Sequence, residues 1–144
     1  MRTIVVLEDE VAAMEVLRHT LEEQYTLIEA ASAEEALSLF IGQDDRVDLL
    51  LAEVMLRTSS GIQVALLLRG NLAELPAILT SRYPVDGWSE NDAADLERLG
   101  STALAIAQEP FLPHILSNVI RQLIGSTQSE PKTRERCTLC LGHK

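Results

Sequence analysis

Apolar runs and helical stripes alternate along the first 124 residues of the chain. Thr3 to Leu7 (TIVVL) is a β-branched run that predicts a buried strand. Apolar residues at Val11, Met14, Leu17 and Leu21 then recur at helical spacing, predicting a helix over 11–23. Tyr25 to Ala30 predicts a second, weaker strand, interrupted by Glu29. Ser32 with Glu35 three residues on resembles a capping box, opening a helix that turns Ala33, Ala36, Leu37 and Phe40 inward and ends at Gly42. Val47 to Ala52, aliphatic apart from Asp48, predicts a strand covered on both faces, ending at a single acid, Glu53.

The alternation continues to Ile124. Gly61 opens a third helix with Ile62, Ala65, Leu66 and Leu68 apolar and Gly70-Asn71 as its stop. Pro76 to Ser81 predicts a fourth strand, 82–91 a long loop, and Asp92 to Leu99 a short helix closed by Gly100. Thr102 to Ala107 predicts the fifth strand and Leu112 to Ile124 the last helix. Five strands alternating with five helices predict an α/β fold: a doubly wound five-stranded parallel sheet with helices on both faces, over residues 1–125. Residues 126–144 are polar without an apolar period, and are expected to form a disordered tail.

Charge narrows the partners. The net charge is −10, and 126–144 contribute +2, leaving −12 on 1–125. An acidic body argues against direct nucleic-acid binding, which needs clustered Lys and Arg. The longest apolar runs fall short of the ~20 residues of a membrane span, and Arg2 leads straight into TIVVL, so neither a membrane anchor nor a signal peptide is expected. Cys137 and Cys140 lie together and cannot staple the core; a cytoplasmic protein is expected. With His143 they offer three zinc-type ligands, one short of a closed site, and free thiols on a tail are the plainer reading.

The chemistry gathers at strand ends. In open α/β sheets, ligands bind outside the carboxyl ends of the strands. The first, third, fourth and fifth strands end at Glu8-Asp9, Glu53, Thr80 and Glu109, which the topology predicts on one edge.

That layout resembles the response-regulator receiver domains, over residues 2–124. VVLEDE is similar to the family's first strand and metal-binding acid pair, which implies that role for Glu8 and Asp9. Glu53, with Gly61 eight residues on, matches the phosphoacceptor position. Thr80 matches the switch hydroxyl, Ile106 the switch aromatic, and Glu109-Pro110-Phe111 the family's Lys-Pro-Phe, whose first peptide is often cis. The family's nucleophile is an aspartate, its cation a lysine, and its loop a Met-Pro where this chain has Leu56-Arg57. No lysine precedes Lys132, so no neighbour can take the missing cation's place. The stretch from Gly100 to Glu109 is about two residues longer than the resemblance implies.

These departures oppose phosphoryl transfer. A misplacement of ~1 Å can cost ~10²-fold in rate, and Glu is longer than Asp by about that much. Glu109 sets an anion where transferring oxygens gather negative charge. The resemblance thus implies a stand-alone, phosphorylation-independent receiver in a two-component phosphorelay, not an enzyme, acting through a kinase, regulator or effector or as a homodimer. Its implied surface is the fourth helix, fifth strand and last helix. Trp88, Leu96, Leu99, Leu112 and Ile115 are candidates there, with core packing the plainer alternative. A second hypothesis is a divalent-metal module holding Mg²⁺ on Glu8, Asp9 and Glu53, with Glu109 either a further donor or, as expected, turned to solvent. A third is a phosphatase of the acid-nucleophile type, for which no histidine (His19, His114 or His143) falls near the cluster.

Overall fold

The computed structural model describes residues 1–43, 47–72 and 74–125. Within them the predicted order holds: β1 (Thr3–Leu7), α1 (Val11–Leu21), β2 (Thr26–Ala30), α2 (Ala33–Gln43), β3 (Leu49–Glu53), α3 (Gly61–Asn71), β4 (Ala77–Ser81), α4 (Glu90–Leu99), β5 (Leu104–Gln108) and α5 (Pro113–Ile124). All neighbouring strands pair in parallel, in the order β2-β1-β3-β4-β5. The segment expected to be a disordered tail, including Cys137, Cys140 and His143, lies outside the described residues. No helix among the described residues is long and apolar enough to cross a membrane.

Strand alternation divides the core into two layers. Ile4, Val6, Leu49, Leu51 and Ile78 point to one face, where Met14, Leu17 and Leu21 of α1 and Leu116, Ile120 and Leu123 of α5 cover them. Val5, Leu7, Leu50, Ala52 and Leu79 point to the other, beneath Ala36 and Phe40 of α2 and Ile62, Ala65 and Leu68 of α3. Every residue of β3 and β4 is buried, as a strand sandwiched between two helical layers requires. The edge strands β2 and β5 are only half covered. Glu29, which weakened the prediction for β2, is satisfied there by Arg18, whose Nε and Nη2 donate to its carboxylate at 2.6 and 2.8 Å.

Helix ends follow their caps. Ser32 Oγ accepts from Glu35 N–H at 3.1 Å, the expected cap, while Glu35 Oε1 accepts from Ala31 N–H at 2.8 Å, one residue further back than in a capping box. Ser89 Oγ accepts from Asp92 N–H at 3.1 Å, so α4 begins at Glu90, two residues earlier than predicted. A short 3₁₀ turn, Val85–Gly87, lies inside the predicted loop.

The start of β5 also moves by two residues, to Leu104 where the sequence predicts Thr102. Ala103 has a positive φ of 52°, so the backbone turns there and cannot yet run as a strand. The turn is held by Arg69, whose guanidinium donates to the carbonyls of Leu75, Leu99, Thr102 and Ala103 at 2.8–3.2 Å. Beyond this turn β5 runs to Gln108, which brings Glu109 to the sheet edge.

Candidate functional site

Glu53 is the last residue of β3, and its carboxylate is held at the carboxyl edge of the sheet. The chain then folds back through an isolated bridge between Met55 and Ser60, and Gly61 N–H donates to the Val54 carbonyl at 3.2 Å. A Cβ at Gly61 would run into the Glu53 carbonyl, which is why the residue opening α3 has no side chain. Glu8 follows β1, and Glu109 follows β5 with a cis peptide to Pro110. Three strand ends thus bring three glutamates together: one carboxylate oxygen from each of Glu8, Glu53 and Glu109 lies within 4.8 Å of the others. They line an open cavity of ≈190 Å³ with Asp9, Glu10, Arg57 and Arg82.

The trio differs from the one expected. Asp9 lines the cavity, but its Oδ2 accepts from Arg57 N–H at 2.7 Å, which draws it toward the loop after β3. Glu109 does not turn to solvent as expected; its side chain is 18% exposed and joins Glu8 and Glu53. Glu109 N–H donates to the Ser81 carbonyl at 2.7 Å, which fixes its backbone at the carboxyl edge of the sheet. Thr80, paired with Glu53 across β3 and β4, sits as anticipated, its Oγ1 3.1 Å from Glu53 Oε1. Ile106, which the resemblance implies at the switch position, is 42% exposed on edge strand β5.

Arg82 and Glu10 were not singled out in the sequence. Arg82 Nη2 donates to Glu10 Oε1 at 2.7 Å, and its Nε approaches Glu109 Oε1 at 3.9 Å. Their position just past the ends of β4 and β1 was the one available signal. Of the proposed surface residues, Trp88 and Leu99 are buried and Leu96 packs against the core, so these three belong to the fold. Leu112 and Ile115 are exposed.

Burial and like charge dominate the electrostatics. Glu53 is pushed up to about 8 from the ordinary 4.5, first by burial, then by the neighbouring charges of Glu109 and Glu8 and a hydrogen bond with Glu109. Glu8 is raised to about 7, again chiefly by burial, although the Glu10 N–H donates to its Oε2 at 3.2 Å and works in the other direction. Glu8 Oε1 is buried with no hydrogen-bond partner among the described residues.

The same architecture recurs in solved structures. A receiver-domain protein from Methanospirillum hungatei superposes with a TM-score of 0.74 at 18% identity, covering 94% of this chain and 98% of its own. One from Clostridium thermocellum gives 0.73 at 16% identity over 97% and 99%. The response regulator TrrA of Thermotoga maritima, in complex with Mg²⁺-BeF, gives 0.69 at 25% identity over 85% and 99%.

The chain has the fold of a response-regulator receiver domain.

No family model matches the receiver-like sequence. A curated relative, the hydrogenase transcriptional regulatory protein HoxA of Cupriavidus necator, is 26% identical over 122 residues, 85% of this chain. The chain spans 24% of that relative's length. The receiver fold explains why the acids meet: its parallel strands all present their carboxyl ends on one edge.

Proposed function

We propose that this chain is a receiver domain of a two-component pathway that signals without being phosphorylated, through contact with another protein. The observation that carries this is Glu109. An acid stands beside Glu53 at the position where the resemblance implies a lysine, and no lysine occurs in 1–131 to replace it. A phosphoryl group on Glu53 would meet the carboxylates of Glu8 and Glu109, raising the energy of transition state and product alike. The protonated tendency of Glu53 also weakens it as a nucleophile.

The domain then works as a binding module in the cytoplasm, not as an enzyme. Partners on this reading are a kinase, a regulator or an effector, or a second copy of the chain. The exposed Ile106, Leu112 and Ile115, on β5 and the start of α5, offer an apolar contact. The acidic body disfavours nucleic acid.

The donor set also fits a divalent cation, because it offers three carboxylate oxygens within 4.8 Å of one another. Glu8 and Glu53, with Asp9 at the side, would hold Mg²⁺, which supplies positive charge to the cavity when bound.

Incubation with acetyl phosphate and Mg²⁺, followed by intact-mass measurement, tests the reading. The wild-type chain is expected to stay unmodified. The paired change Glu53→Asp with Glu109→Lys is expected to regain labelling, and each single change to regain less. A stoichiometric adduct on wild-type Glu53 sinks the proposal.

A further inference from the structure

Arg82 reaches further across the sheet edge than its place in the chain requires. It follows β4, yet its Nη2 donates to Glu10 Oε1 at 2.7 Å, and Glu10 lies beyond the end of β1. In the strand order, β3 stands between β1 and β4. Neighbouring strands are about 4.8 Å apart, so this bond bridges about 10 Å of sheet edge, past the end of β3 where Glu53 sits. On the other flank, Arg82 Nε lies 3.9 Å from Oε1 of Glu109, beyond β5. One guanidinium thus joins the ends of β1, β4 and β5 at the cavity that Glu53 lines. The Glu10 hydrogen bond, with the charges of Glu10, Glu109 and Glu53, holds its pKa above the ordinary value. Tyr83 N–H donates to Ser81 Oγ at 3.1 Å, which turns the chain at the base of the arginine.

We propose that Arg82 is a strap across the mouth of the cavity, which an entering cation must displace; this rests on the cation reading of the site. Residue type makes the strap possible. Arginine presents several donors in a planar fork, so one side chain can hold Glu10 while it faces Glu109, whereas a lysine ammonium is a point charge on a flexible stem. Exposure sets how firmly the strap holds. The Arg82 and Glu10 side chains are 63% and 50% exposed, so their bond is screened by solvent and weak enough to open. An arriving cation is opposed twice: it meets a positive charge at the mouth, and it competes with that charge for the surrounding carboxylates. Strap opening and ion binding are therefore coupled, and loss of the strap tightens the ion.

Isothermal titration of the EDTA-stripped whole chain with MgCl₂, paired with thermal melts, tests this. Arg82→Ala is expected to bind Mg²⁺ about two- to fivefold more tightly than the wild type, the scale of one exposed ion pair. Arg82→Lys keeps the charge but cannot serve Glu10 and Glu109 together, and is expected to fall between the two. Both variants should melt in EDTA within about 3 °C of the wild type, because the side chain is exposed, which separates altered binding from altered folding. Equal Mg²⁺ affinity in wild type and Arg82→Ala overturns the strap and leaves the cation reading standing. An Arg82→Lys titration identical to wild type, beside a tighter Arg82→Ala, would show charge alone at work and also overturns it. No heat or melting shift at millimolar Mg²⁺ in wild type or either variant removes the cation reading and the strap with it.

Discussion

Leu50 and Glu53 lie three residues apart on the same strand, and both are buried, yet their surroundings are governed by opposite physics. Around Leu50, Val5, Ala52 and Leu79 share a face with Ile62 and Leu68, and burial of each side chain reinforces the next. Around Glu53, burial and two neighbouring carboxylates all work against the charged form. The first environment would exist in any sequence with this apolar pattern. The second persists only because the surrounding sheet holds it in place, and is where function is to be sought.

Three changes test that contrast, beginning with the largest effect. Leu50→Ala should cost about 2–5 kcal/mol, since the fully buried site sits between strands and helices that cannot close over a cavity. Urea denaturation measures it; a loss below about 1 kcal/mol would show that the layer repacks freely.

The pH dependence of the metal-free protein comes next. Glu8 and Glu53 have folded pKa values of about 7 and about 8, raised from 4.5. The folded state therefore keeps protons that the unfolded chain has released, so their contribution is fully present below about pH 4.5 and is lost as pH rises through about 7 and 8. Melts in EDTA should fall by about 5 °C or more between about pH 5.5 and 8.5. Glu53→Gln, which cannot ionise, should flatten the slope and raise Tm at the alkaline end. A wild-type Tm that climbs with pH over this range would contradict the crowding of the carboxylates.

The smallest effect belongs to the surface. Ile106→Ser should cost no more than about 1 kcal/mol, because the side chain is already 42% exposed. A large loss would mean that Ile106 is part of the core after all, and would remove it from the proposed contact surface.

Sequence by itself determined the parallel sheet, its five helices and the edge to which the acids come. Those follow from local periodicity: the β-branched run at Thr3–Leu7, apolar spacing in α1 and α5, the cap at Ser32 and the helix-opening Gly61, each readable within a few residues. Thr80 beside Glu53 was legible too, because both end neighbouring strands. Tertiary structure alone decided the rest. Trp88 and Leu99 are apolar in any reading, and only the packing of α3 and α4 places them inside. The start of β5 depended on a positive φ at Ala103 and on Arg69, an arginine 34 residues away in sequence. The backbone of Glu109 was fixed at the sheet edge by its N–H bond to Ser81 on the adjoining strand, and the Asp9 carboxylate was drawn aside by the Arg57 N–H. A carboxylate turns to whichever donor or cavity the folded chain brings within about 3 Å, and periodicity in sequence carries no record of that distance.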